Sequence, residues 1–157
     1  MGFVADLILK NLDIHVTFPW GISIVDAMAY PDMTQSDDNY IECVRAIVDD
    51  PFFDGVEIPN PPENLWNQLE KLLEDRFVIL AHQSDILKKG LNLSALDEAE
   101  RTKAIESIGK VIEDAGRHDV CMLALCSGPD PGANKRAEAA AKLIGSLNKL
   151  CEKAGDN

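Results

Sequence analysis

Apolar positions along the chain fall into two alternating rhythms. Gly21-Ile22-Ser23-Ile24-Val25 is a short run rich in β-branched residues, which predicts a strand. Tyr40, Ile41, Val44, Ile47 and Val48 then recur at helical spacing, behind the cap candidates Ser36, Asp37 and Asp38, and Pro51 stops that helix. Phe53 to Ile58 reads as a second strand closed by Pro59. Pro62 and Glu63 open a helix with Leu65, Leu69, Leu72 and Leu73 on one face. Phe77-Val78-Ile79-Leu80-Ala81 is a continuous apolar run, as suits a parallel strand buried on both faces. A helix beginning at Asp97 carries Ala104, Ile105, Ile108, Val111, Ile112 and Ala115, with Gly116 as its expected stop. Val120 to Cys126 is the fourth strand. A last helix sets Leu143, Ile144, Leu147, Leu150, Cys151 and Ala154 on one side and ends at Gly155.

Four βα units in succession imply an α/β protein with a parallel sheet, strand order 1-2-3-4 and helices outside. Residues 1–20 fit this scheme poorly. Val4 to Leu9 or Asp13 to Thr17 is either an extra strand or part of an irregular arm. The βα domain is expected over 21–157.

Parallel βα folds gather functional groups where strands end. Asp26 follows strand one and Glu57 lies near the end of strand two. His82 and Gln83 follow strand three, and Ser127 and Gly128 follow strand four. Imidazole and carboxylates at one rim can orient hydroxyls or share a proton. His82 and Glu57 are the candidate catalytic residues; Asp26, Gln83, Ser127 and Gly128 are candidates to touch substrate. Plainer roles exist for each. Glu57 could pair with a basic neighbour or cap a helix, His82 could bond a loop carbonyl, and Ser127-Gly128 could be a turn forced by close backbone approach. His15 and His118 read as structural or exposed. As rim positions, these candidates should carry little packing.

Charge narrows the classes. Fifteen Lys and Arg against 27 Asp and Glu give a net charge of −12, which weighs against nucleic-acid binding. The 12 uncharged residues Ile14 to Val25 are too few to span a bilayer. Asp6 breaks the opening apolar run and no basic residue precedes it, so neither a secretory signal nor a membrane partner is expected. Cys43, Cys121, Cys126 and Cys151 form no C-x-x-C pair and no metal spacing, which suits reduced thiols in the cytoplasm. Dinucleotide, P-loop, nucleophile-elbow and H-E-x-x-H motifs are absent. His82 alone cannot make a metal site, and no metal ligand is assigned.

Phe53-Asp54-Gly55-Val56-Glu57-Ile58 resembles the second-strand signature of the xylose isomerase-like TIM barrels, the sugar phosphate isomerase/epimerase superfamily. A strand ending at His82 follows, then Gly90-Leu91-Asn92-Leu93-Ser94, an acidic helix with Glu100-Arg101, and Ser127-Gly128-Pro129-Asp130-Pro131. This order resembles the family from Gly21 to Asn157 and leaves the first 20 residues unmatched.

The resemblance implies an eight-unit (β/α) barrel of about 250 residues, of which this chain would supply four. It implies a sugar, sugar-phosphate or polyol isomerase or epimerase, here an N-terminal half that is inactive alone. It further implies a divalent metal (Mn, Mg, Co or Zn) in the full-length family, held mostly by strands five to eight, beyond this chain. His82 matches a position that contacts substrate in sugar epimerases and binds metal in endonuclease IV-like relatives. Those nucleases carry a second histidine after strand four, where this chain has Cys126-Ser127-Gly128, so a nuclease is the weaker alternative. A non-catalytic half-barrel binding module is the other alternative. A half-barrel would leave strands one and four as open edges, which invites self-association.

Overall fold

Val56, Ile58, Val78 and Leu80 are buried, whereas Glu57, Ile79 and Ala81 between them are only partly so. Period-two alternation therefore gives the sheet one covered and one open face. The computed structural model describes residues 21–32, 36–118, 120 and 122–155. The possible strands between Val4 and Thr17 lie outside them.

The elements run β1 (Ser23–Val25), α1 (Asp26–Ala29), α2 (Asp37–Val48), β2 (Gly55–Ile58), α3 (Glu63–Leu73), β3 (Phe77–Ala81), α4 (Gln83–Lys89), α5 (Glu98–Arg117), β4 (Met122–Ala124), a 3-10 turn (Ala133–Lys135) and α6 (Arg136–Gly155). All strand pairs are parallel, in the order β1-β2-β3-β4. The α/β class and the order of a partial TIM barrel are as the sequence predicts.

The covered face packs against Tyr40, Val44 and Ile47 of α2, Leu65, Trp66 and Leu69 of α3, and Val111 of α5. A second cluster joins Ile86 of α4 and Leu93 to Ile108 of α5 and Leu150 of α6. Each such side chain contributes roughly 1.5–3 kcal/mol by leaving water. Caps fall where the sequence puts them: Ser36 Oγ accepts from Asn39 N–H, and Asp97 Oδ1 accepts from Glu100 N–H.

Some boundaries differ. α5 runs through Gly116 to Arg117, and His118 caps it with its N–H on the Ala115 carbonyl. Gly116 has no positive φ and ends nothing. β4 is shorter than Val120 to Cys126. The predicted face of α6 is only half used. Leu150 is buried, but Ile144 is 60% and Leu147 37% exposed.

Candidate functional site

Strand register lines up Val25, Glu57, Ile79 and Met122 across the open face. Glu57 is the charged member of that row. Ser23 shares the face one pleat earlier, and its Oγ donates to Glu57 Oε1 at 2.8 Å. The carboxylate is thereby oriented on the open face, near the C-terminal ends of the strands.

Asp26 begins α1 directly after β1 and is 1% exposed. Its Oδ1 accepts from Ala27 N–H, while Oδ2 is buried with no hydrogen-bond partner. Burial pushes the carboxyl up to about 6, the Ala27 bond pulls it down, and Glu57 adds a further upward push. The Asp26 charge bears more widely on α2, and no described hydrogen bond or ion pair ties it to Glu57. The Tyr40 hydroxyl of α2 is also buried and unpartnered, and burial together with Asp26 pushes its phenol up.

His82 occupies the N-cap position of α4 and is 2% exposed. Its N–H donates to the Ala124 carbonyl at 3.0 Å, tying the end of β3 to β4. Its Nδ1 lies 3.9 Å from Asp85 Oδ2, and Nε2 is buried without a partner. Burial holds the imidazole below its ordinary value against the opposing pull of Asp85. No described hydrogen bond or ion pair links this ring to Glu57 or Asp26. Gln83, half-buried, is the first residue of α4.

Ser127 is exposed, and its carbonyl accepts from Ser94 N–H at 3.2 Å. Gly128 has φ +117°, and a Cβ there would lie 2.2 Å from Asn92 Oδ1. That oxygen accepts from both the N–H and the Oγ of Ser94. Arg101, on the Ala95 carbonyl, and Ser146, on the Leu93 carbonyl, fix the same loop. The two loops line a groove of about 300 Å³ with Asp130 and Arg136. The structure therefore joins Ser23 to Glu57, and Ser127 to Gly128 and the 92–94 loop, while no described hydrogen bond or ion pair brings Asp26 or the His82 ring to either group.

Sequence reasoning missed Ser23, Asn92 and Tyr40 as parts of these groups. Ser23 was reachable, because alternation puts it on the face of Val25. Tyr40 was hidden in an apolar stripe. His118 is structural: it stacks on Trp66 (4.2 Å between centroids, 7° between planes) and its Nδ1 is 2.6 Å from Glu70 Oε1. Both rings line a cavity of about 380 Å³ near the opposite ends of the strands. Burial first, then Asp26, Asp32 and Glu42, pushes the Cys43 thiol up, which makes it a poor nucleophile.

Among the described residues, no three His, Cys, Asp or Glu side chains are grouped to hold a metal ion. Asp26 and Glu57 offer two carboxylates without an adjacent imidazole, so the described residues do not fit the family's divalent ion. No described helix is long and apolar enough to cross a membrane.

A sequence model of the xylose isomerase-like TIM barrel matches residues 44–157. The chain belongs to that family. Two solved structures share the family's fold with it. One is a D-psicose 3-epimerase in the presence of D-fructose, with 17% identity and a TM-score of 0.62. The other is the D-psicose 3-epimerase of Clostridium cellulolyticum H10 with D-tagatose, with 16% identity and a TM-score of 0.63. Each match covers 85% of this chain and 48% of the other, so the chain spans about half the length of these family members. No curated protein matches the chain.

Proposed function

We propose that the chain is the substrate-facing half of a sugar isomerase or epimerase of this family. The observation that carries the reading is the Glu57 carboxylate on the open sheet face, oriented by Ser23 at the C-terminal ends of the strands. Isomerisation and epimerisation move a proton next to a carbonyl. A carboxylate fixed at the strand ends can accept that proton or hold the sugar hydroxyls. Ser127, Gly128 and Gln83 would contact the rest of the sugar, and His82 would act from beneath the rim. The substrate is a free sugar, a sugar phosphate or a polyol. The reading takes the protein as cytoplasmic and includes association through its sheet edges.

The metal-holding residues of such an enzyme would come from outside the described residues, among which no ligand group is gathered. The chain alone should therefore turn over no sugar. One observation favours a second reading, a non-catalytic sugar-binding half-barrel: no described hydrogen bond or ion pair links the His82 ring to the Glu57 carboxylate.

Calorimetric titration with D-fructose and D-tagatose, alongside turnover assays with and without Mn²⁺ or Co²⁺, tests the proposal. Binding that falls at least about tenfold in Glu57→Gln, without turnover, supports it. Binding unchanged by Glu57→Gln, or none to any sugar, sugar phosphate or polyol, rejects the site. Turnover by the chain alone rejects the half-enzyme assignment.

A further inference from the structure

The cavity of about 380 Å³ lies between α3, the turn into β3 and His118, on the covered side of the sheet. Small-molecule sites run from roughly 300 to 1,000 Å³, so it has room for a small ligand. Buried Leu73 and Val78 give it one apolar wall, and the stacked Trp66 and His118 rings give it another. Three charged side chains also line it, Glu70, Glu74 and Arg76, and they do not pair with one another. Arg76 Nη2 donates to the Val48 carbonyl at 2.8 Å, while its Nε is buried with no partner. Among the described residues, Arg76 has no carboxylate partner and Glu74 has no basic one. Glu70 Oε1 lies 2.6 Å from His118 Nδ1. The His118 side chain is 8% exposed; its Nε2 is buried without a hydrogen bond, 3.7 Å from Glu63 Oε2.

A buried guanidinium N–H without an acceptor is costly, the more so because the group is charged. Carboxylates four residues apart at the end of a helix repel one another, as Glu70 and Glu74 do here. A ligand that brings an anion to Arg76 and a cation to the two glutamates relieves both. We infer that this cavity binds a free α-amino acid with an apolar side chain. Its carboxylate sits against Arg76, whose planar guanidinium suits that group. Its ammonium sits against Glu74, with Glu70 beside it. Its side chain leaves water over Leu73, Val78 and the ring stack. An anion alone would meet two carboxylates, and a cation alone would meet the guanidinium, so the lining selects a molecule that carries both charges. An uncharged sugar answers neither. The inference uses no residue of the sugar site and stands whether or not sugar binds at Glu57.

Calorimetric titration of the full chain with L-leucine and L-phenylalanine tests the site. The N-acetyl forms, which lack the ammonium, and the amides, which lack the carboxylate, are the controls. At least one free amino acid should bind, and both of its capped forms should bind at least about tenfold more weakly. Glu74→Gln should weaken the free amino acid at least about tenfold and narrow its advantage over the N-acetyl form. Arg76→Gln should weaken it as much and narrow its advantage over the amide. Glu74 is exposed, so its variant keeps the fold by circular dichroism and decides the matter should Arg76→Gln not fold. D-Fructose should not compete. No binding of either amino acid at about 10 mM overturns the inference. Capped forms that bind as well as the free ones overturn recognition by two charges. Binding that Glu74→Gln leaves unchanged, or that D-fructose displaces, overturns the assignment of this cavity.

Discussion

Asp26 works against the stability of the fold at neutral pH. A carboxyl that titrates near 6 in the folded chain and near 3.8 unfolded holds its proton more tightly when folded. Stability is therefore least affected below about pH 4, falls as pH rises through about 4 to 6, and stays low above that. The gap corresponds to about 3 kcal/mol. Asp26→Asn keeps an acceptor for Ala27 N–H and removes the charge. It should raise the unfolding free energy by about 1–3 kcal/mol near pH 7.5 and change it little near pH 4, read from urea titrations. Equal destabilisation at both values would show that the charge is not the strained element. His82 makes a different case. At 2% exposed it carries packing, contrary to the expectation for a rim residue, so His82→Ala should cost roughly 1–3 kcal/mol in the same measurement. Gly128→Ala meets both a positive φ and the Asn92 side chain. It should cost about 1–3 kcal/mol, with part recovered in the Asn92→Ala background. The turn at Gly128 was legible from residue type. Its clasp on Asn92 was not, because nothing local in the sequence announces a partner in another loop.

The elements were legible wherever pattern and punctuation agreed. Ser36 and Asp97 cap the helices that follow them, and β3 matches its apolar run residue for residue. Asp97→Ala should lower stability by about 1 kcal/mol in thermal or urea unfolding, by leaving the Glu100 N–H without its acceptor. Two elements were hidden for physical reasons. α4 is only about two turns long with Ile86 as its buried residue, too short to show a period. Its C-terminal Gly90, at φ +61°, was the usable signal. α6 shows the converse. Its apolar stripe is broader than the surface it buries, and spacing alone cannot say whether a stripe faces the chain's own core or another surface. Gly116 failed as a stop because a glycine ends a helix only where a left-handed residue is needed, and His118 closes α5 without one.

At the scale of the whole molecule, the described sheet has helices on one face and the oriented Glu57 carboxylate on the other. Strand ladders fix which residues share that face, and this much followed from alternation and from polar residues at strand ends. The burial of Asp26 depended on tertiary packing and needed the structure. The central claim is that sugar is recognised at the C-terminal strand ends on the open face. The rival location is the cavity lined by Trp66 and His118 near the other end. Backbone amide NMR of the full chain, titrated with D-fructose, separates the two. Shifts concentrated at Ser23, Glu57, Ser94 and Ser127, and lost in Glu57→Gln, are the predicted result. Shifts at Trp66 and His118 instead, or none at the strand ends, would contradict the account.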